Sequence, residues 1–305
     1  MTPGSAVALE ELLYNSPSLE STLSGAERAA ASEAPILILG PPGTGRSTLA
    51  RALHGASSRS KNPLVEIDIS SIPSSLFESE LFGHRAGAFT GAEESSRGRV
   101  ELAANGSLLL DHVEEIPISS QPKLLRLLAE GRFAPLGGRE TRADVRFLGI
   151  GSDDLLQRVE QGRFREDLYY RLEVLTLRLT PLRDRLDDLD RLLRHFLEDL
   201  RQRFGFDRLE ISSEARAWMG EYHWPGNLRE LRNVLERAAI SADGGVLDPA
   251  CPSRSFGPPE SLEVIEKRQI ERALAYTRGH QGKAAEILGI SRKTLWDKRR
   301  RLGIP

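Results

Sequence analysis

The chain has 305 residues, 39% of them hydrophobic and 28% charged, with a formal net charge of −2. That length holds one large domain with a small companion, or two of middle size, and the composition is that of a soluble globular protein. No apolar run approaches the roughly 18–20 residues a membrane span needs, no basic stretch leads into an apolar one at the start, and Cys251 is the one cysteine. The sequence therefore predicts no membrane span, secretory leader, disulfide or cysteine metal cluster, and a cytoplasmic, reducing environment is expected.

The small net charge conceals an asymmetry. Residues 261–305 hold 11 Lys+Arg against 5 Asp+Glu, so this tail is +6 and the remainder −8. A basic module on an acidic body points to nucleic acid at the tail alone; a solvated charged surface has the same composition.

In chain order, about 34 residues precede Pro35, too few for a separate sensing domain. Short apolar runs bounded by turn signals predict strands over Pro35–Gly40, Leu64–Asp68, Ser107–Asp111, Val145–Ile150 and Val174–Arg178. Helical patterns lie between them, such as Gln121–Glu130 with Pro122 in its first turn. The alternation predicts an α/β domain, a parallel sheet with helices on both faces. From about Thr180 the pattern is all-helical, over Asp187–Phe204, Ser212–Glu221 and Asn227–Ala239, which reads as a lid. Ser241–Glu260, with Gly244, Gly245, Pro249, Pro252, Gly257, Pro258 and Pro259, has linker composition. Three short helices follow, near Leu262–Tyr276, Gln281–Leu288 and Arg292–Leu302.

The first predicted strand runs into Gly40-Pro41-Pro42-Gly43-Thr44-Gly45-Arg46-Ser47, and a helix opens there. This is the setting of a phosphate-binding loop. Glycines let backbone N–H groups turn inward around phosphates, and the helix N-terminus adds partial positive charge. Gly40, Gly43, Thr44, Gly45, Arg46, Ser47 and Thr48 are the candidate ATP ligands, and Ser47 or Thr48 would offer a hydroxyl to Mg²⁺. The usual lysine is replaced by Arg46, a planar fork in place of a compact ammonium.

Glu80-Leu81-Phe82-Gly83-His84 is followed by Gly87-Ala88-Phe89-Thr90-Gly91-Ala92. Glycines permit a tight exposed loop, and Phe89 with Thr90 would form its tip. The GAFTGA hexapeptide resembles the signature loop of sigma-54-dependent activators, the bacterial enhancer-binding proteins, and the resemblance extends from about Leu12 to Pro305. It implies an AAA+ fold and a loop that contacts sigma-54. Gly106–Asp111 is similar to the family's Walker B strand, with Asp111 a Mg²⁺ ligand beside Ser47. Gly162–Leu172 resembles the segment that carries arginine fingers, here Arg165 and Arg171, which would reach a neighbour's ATP. Trp224-Pro225-Gly226-Asn227-Leu228-Arg229-Glu230-Leu231 resembles the sensor II motif, with Arg229 at the nucleotide.

The departures from the family gather at one place. His112 stands where the family has the Walker B glutamate that polarises water. Asp68 stands for the asparagine that restrains that glutamate, and Gly151-Ser152 for the sensor I Thr-Asn pair. With Arg46, these five positions fall in one predicted pocket and imply altered hydrolysis. A positioned general base contributes about 10²–10⁴-fold, and a neutral imidazole lacks the charge and geometry of a carboxylate.

In the tail, Gln281–Trp296 has helix-turn-helix chemistry. Small Ala284 and Ala285 allow a close crossing, Gly289 ends one helix and Ser291 caps the next. Ile287, Leu288, Ile290 and Leu295 are expected in its core. Ser291, Arg292, Lys293, Thr294, Lys298, Arg299, Arg300 and Arg301 are the candidate DNA contacts, early residues toward base edges and later ones toward phosphates. The tail resembles the Fis-type domain of the same family.

Together these features predict four segments: 1–179, the α/β subdomain of an AAA+ domain; 180–241, its helical lid; 242–260, a linker; and 261–305, an all-α helix-turn-helix domain. The expected function is a DNA-binding, ATP-dependent, ring-forming activator, anything from a dimer to a hexamer, that acts on sigma-54 RNA polymerase. The rival is a nucleotide-responsive DNA-binding regulator whose AAA+ domain is a hydrolysis-deficient scaffold.

Overall fold

A computed structural model of the chain describes residues 19–242, 245–251, 266–267, 269–270, 273–274, 277, 280–302 and 304. The chain divides into two units, Met1–Cys251 and Pro252–Pro305.

The first unit begins with α1 (Glu20–Ala30), β1 (Ile36–Leu39), α2 (Arg46–Gly55) and β2 (Leu64–Asp68). Then come α3 (Phe77–Phe82), β3 (Gly83–His84), β4 (Ser96–Arg97), α4 (Arg99–Leu102) and β5 (Ser107–Asp111). They are followed by α5 (Gln121–Glu130), β6 (Arg132–Phe133), β7 (Thr141–Arg142), β8 (Arg146–Gly151), α6 (Leu155–Glu160), α7 (Glu166–Leu172) and β9 (Leu175–Arg178). The five long strands form one sheet in the order β2-β5-β8-β1-β9, every pair parallel. These are the five apolar runs read from the sequence.

The sheet is covered on both faces, so its strands read as near-continuous apolar runs. Successive residues divide between two cores. Leu37, Leu39, Leu108 and Leu110 pack with Phe77, Phe82, Leu124 and Leu168. Ile36, Ile38, Leu109 and Ile150 pack with Ala26 and Ala29 of α1 and Leu49 and Leu53 of α2. The sequence did not mark α1, whose buried residues among those described are small alanines.

The lid comprises α8 (Leu189–Phe204), β10 (Leu209–Ile211), α9 (Ser213–Glu221), α10 (Asn227–Ala242) and β11 (Gly245–Leu247). Its core gathers around Trp224, whose Nε1 donates to Met219 O at 3.0 Å. The lid differs from the all-helical expectation in one respect. Gly245–Leu247, which reads as linker, pairs in parallel with β10 and buries Leu247 completely. Asp243, Gly244 and residues 252–265 lie outside the described residues, and with them most of the expected linker and the start of the first tail helix.

In the second unit, described residues between 266 and 274 are helical, followed by α11 (Gln281–Ile287) and α12 (Arg292–Leu302). Ala284, Ala285, Leu295, Leu302, Ile270, Ala273 and Ile304 make the core. Ile287 does not join it and is 56% exposed, because Ala284 and Ala285 form the inward face of α11. Among the described residues, no helix is long and apolar enough to cross a membrane.

Candidate functional site

The loop Gly40–Ser47 leaves β1 at the carboxyl edge of the sheet, where open α/β folds bind ligands. Gly40, Gly43 and Gly45 have φ of 139°, 80° and 105°, which only glycine adopts without strain. Close packing restricts two of them further. A Cβ on Gly40 would lie 2.6 Å from Leu179 O, and one on Gly43 would lie 2.4 Å from Gly226 O in the lid. The lid grips the loop through polar contacts. Asn227 Nδ2 donates to Pro42 O at 2.9 Å, Leu228 N to Gly43 O at 2.9 Å, and Arg185 Nη2 to Thr44 O at 3.0 Å. The Thr44 hydroxyl is buried and bonds back to Pro41 O, so the loop itself uses that side chain. Arg229 is exposed, and its Cβ would lie 3.3 Å from a Cβ on Gly43. Thr48 is half-buried, one residue into α2 beyond Ser47.

Arg46 is turned inward. Its Nη1 donates to Gly40 O at 2.9 Å and to Gly151 O at 2.6 Å, which ties the ends of β1 and β8 together. Ser47 Oγ lies 3.4 Å from Asp111 Oδ2, the spacing of two groups that could share a small cation. Among the described residues, no cluster of three His, Cys, Asp or Glu side chains could hold a metal alone.

At the next strand end His112 adopts the left-handed region, φ 60° and ψ 52°. Its N–H donates to Asp111 Oδ1 at 2.9 Å, and its Nδ1 lies 2.9 Å from Asp68 Oδ1. Asp68 also receives Ser70 N and Oγ. Burial works to raise the Asp68 carboxyl, but the bonds from Ser70 and His112 outweigh it and hold it below its ordinary value. Glu114, which the sequence left without a role, is buried, and its Oε2 accepts from Ser152 N at 3.3 Å. The structure thus brings Arg46, Asp68, Asp111, His112, Gly151 and Ser152 to one edge of the sheet.

Arg165 and Arg171 do not join them. Arg165 is exposed at the start of α7 and forms a fork with Asp167 at 2.7 and 3.0 Å. Arg171, also exposed, reaches Leu128 O and Ala129 O.

The hexapeptide Gly87–Ala92 projects from the β3–β4 hairpin. At its neck, a Cβ on Gly83 would lie 2.6 Å from Gly98 N, and one on Gly98 would lie 2.3 Å from Phe82 C, so both strands must be glycine there. Gly87 and Gly91 have positive φ and open space around them. Phe89 is exposed, with its ring 5.1 Å from that of His84, and Thr90 is exposed at the tip. Ala88 is half-buried and Ala92 is buried beneath the loop.

In the second unit, Ser291 caps α12 by accepting from Thr294 N at 3.0 Å. Ser291, Arg292, Lys293, Arg300 and Arg301 are exposed, Thr294, Lys298 and Arg299 half-buried. Lys298 and Arg301 both pair with Glu266, and the Arg300 guanidinium lies over the ring of exposed Trp296 at 5.6 Å.

Residues 12–178 match the family described as the Sigma-54 interaction domain. The chain belongs to the sigma-54-dependent activators. Residues 183–255 match the AAA+ ATPase lid domain, and 261–302 the bacterial regulatory proteins of the Fis family. The chain is 39% identical over 312 residues to the regulatory protein AtoC of Escherichia coli, covering 96% of this chain and 68% of AtoC. To the alginate biosynthesis regulator AlgB of Pseudomonas aeruginosa it is 43% identical, covering 95% of this chain and 67% of AlgB. It therefore spans about two thirds of these relatives. Among solved structures, NtrX from Brucella abortus superposes with a TM-score of 0.75 at 30% identity, over 97% of this chain and 70% of that one. NtrX in complex with ATP gives 0.71 at 30% identity, over 95% and 69%.

For this activator, sequence reasoning missed three residues at the pocket: Glu114, Arg185 and Asn227. Asn227 stands inside the motif from which only Arg229 was singled out. Glu114 reads as one of an acidic pair, and nothing local distinguishes it from Glu115.

Proposed function

We propose that this activator binds DNA through α12, binds ATP at Gly40–Thr48, and uses the loop Gly87–Ala92 to remodel sigma-54 RNA polymerase. The observation that carries the reading is mechanical continuity between pocket and loop. Asp68, held by His112, also caps the turn Ile69–Ser71 that leads into α3, and α3 runs directly into the glycine neck of the loop. A change at the strand end therefore has a short, packed route to Phe89 and Thr90.

The glycine loop and the start of α2 suit phosphate oxygens, since positive φ at Gly40, Gly43 and Gly45 gives the loop its tight turns and the helix N-terminus offers free N–H groups. Ser47 and Asp111 would hold Mg²⁺, which usually keeps several waters and takes phosphate oxygens as further ligands; bound there, it would neutralise phosphate charge. Arg229 would meet the nucleotide from the lid. Arg165 and Arg171 lie on the surface, where in a ring of copies they would reach a neighbour's nucleotide. His112, oriented by Asp68, stands where a water would be activated. In the second unit, Arg292 and Lys293 would approach base edges while Arg299, Arg300 and Arg301 meet phosphates.

A second reading has its own support. Arg46 is already engaged with Gly40 O and Gly151 O, as suits a domain that senses nucleotide without hydrolysing it. ATP turnover at ring-forming concentration separates the two. The remodelling reading expects turnover that falls about 10³-fold or more in Arg165→Ala, and Thr90→Ala that binds DNA normally but activates no transcription. Nucleotide binding without turnover, with unimpaired Thr90→Ala, would establish the scaffold.

A further inference from the structure

The basic residues of α12 explain its charge but not Trp296, which lies mid-helix and is 53% exposed. Leu295 and Leu302 turn inward to the core of the second unit, and Lys298 and Arg301 share Glu266. Arg292, Lys293, Trp296, Asp297, Arg300 and Arg301 are exposed. Residues three and four apart are neighbours on a helix surface, so these six form one stripe with the indole at its centre.

The centre of the stripe differs from its ends. Arg292 and Lys293 come one turn before Trp296, and Arg300 and Arg301 come one turn after it. Asp297, the one acidic residue of α12, stands beside the ring in sequence. A carboxylate is repelled by phosphates, so the centre of the stripe suits base edges better than the backbone. The Arg300 guanidinium lies over the indole, 5.6 Å from its ring centroid, a contact that restrains the ring and keeps its charge.

An indole offers a flat apolar body and a single donor, Nε1–H. In the major groove only thymine presents an apolar group, its C5 methyl, and it carries the O4 acceptor beside it. Cytosine presents a donor there, guanine two acceptors and adenine one of each, none with a methyl. We propose that Trp296 is a specificity-determining residue that reads a thymine, packing its ring on the methyl group while Arg300 meets a phosphate. This rests on the reading of α12 as the DNA-binding helix. It assigns sequence preference to a side chain that carries no charge.

The test starts from a pool of random-sequence duplexes. Duplexes retained by the full chain and by its Trp296→Ala variant are sequenced. The unaltered chain should select a motif with a fixed thymine, and the variant should select the same motif with that one position relaxed. In the selected duplex, deoxyuridine at that position deletes only the methyl. The unaltered chain should then bind about fourfold more weakly, the worth of one buried methyl, and Trp296→Ala should bind both duplexes equally. The salt slope should be the same for the variant as for the unaltered chain, because no cation is lost. The deoxyuridine arm alters the DNA alone, so it decides the matter whatever the variant's stability. Equal binding of the two duplexes by the unaltered chain would overturn the proposal. So would a variant that keeps the thymine preference, or one that changes the oligomeric state and leaves the preference intact. Failure of the unaltered chain to enrich any motif would instead overturn α12 as a sequence-reading helix, which is a different result.

Discussion

Asn227 shows how much of this site rests on single side chains. It is 2% exposed and sits at φ 51°, a left-handed conformation that asparagine tolerates better than most residues. Its Oδ1 accepts from Leu182 N at 2.8 Å and its Nδ2 donates to Pro42 O at 2.9 Å, so one amide joins the lid, the segment entering the lid and the phosphate loop. Asn227→Ala leaves the buried Leu182 N–H without a partner, at a cost of about 1–3 kcal/mol, and adds a left-handed alanine at about 1–2 kcal/mol. The urea midpoint should fall with its slope unchanged. Asn227→Gly, which adopts the left-handed conformation freely but lacks the amide, should still fall by the hydrogen-bond share, and a midpoint equal to that of the unaltered chain would sink the hydrogen-bond account. The motif around Asn227 is legible in the sequence, but its role is not, since its partners lie far away in the chain. The same holds for Glu114, whose partner is Ser152 N, and for Arg46, whose inward turn depends on where β8 ends.

At the scale of elements, what could be read depended on length and composition. The five sheet strands are continuous apolar runs ending in turn residues, and Gln121–Glu130 has a helix period with proline at its start, so each was visible locally. The strands β10 and β11 have three residues each and owe their existence to pairing across the lid, so Gly245–Leu247 passed for linker. In α12 the helix and its basic residues were legible, but not their division of labour. Lys298 and Arg301 share Glu266, whereas Arg300 stands exposed over the Trp296 ring. Arg300→Ala should therefore weaken binding to a random-sequence duplex and reduce the salt slope by about one. Lys298→Ala should do less, because its ammonium already has a carboxylate partner. Anisotropy titrations at several salt concentrations measure both, and a larger loss from Lys298→Ala would refute the assignment.

Over the whole molecule, the charge division seen in the sequence, +6 in residues 261–305 and −8 elsewhere, favours nucleic acid at the tail, while the stability of the first unit has a pH dependence that composition does not reveal. His54 is buried between α2 and β5, with Nδ1 2.9 Å from Ser107 Oγ, and His195 is half-buried in α8. Burial lowers both imidazoles below the ordinary 6.5; for His54 a bond to the Asn62 backbone opposes and Arg146 adds to the effect, and for His195 Asp199 opposes while Arg232 adds. Above about pH 6.5 the folded and unfolded chains both hold these groups neutral, and nothing is lost. As the pH falls through 6.5, the unfolded chain takes up protons that the folded chain refuses, so stability drops until the lowered folded values are reached. The carboxyls held low by hydrogen bonds, such as Asp68 and Asp154, add their own losses only below their ordinary value of 3.8. The interval from about pH 6.5 to 5 therefore belongs to the histidines. The melting temperature should decline across that interval, and the decline should flatten in a His54→Asn, His195→Asn double variant. A melting temperature constant from pH 7.5 to 5, or a decline the double variant leaves intact, would show that neither imidazole is held neutral by the fold.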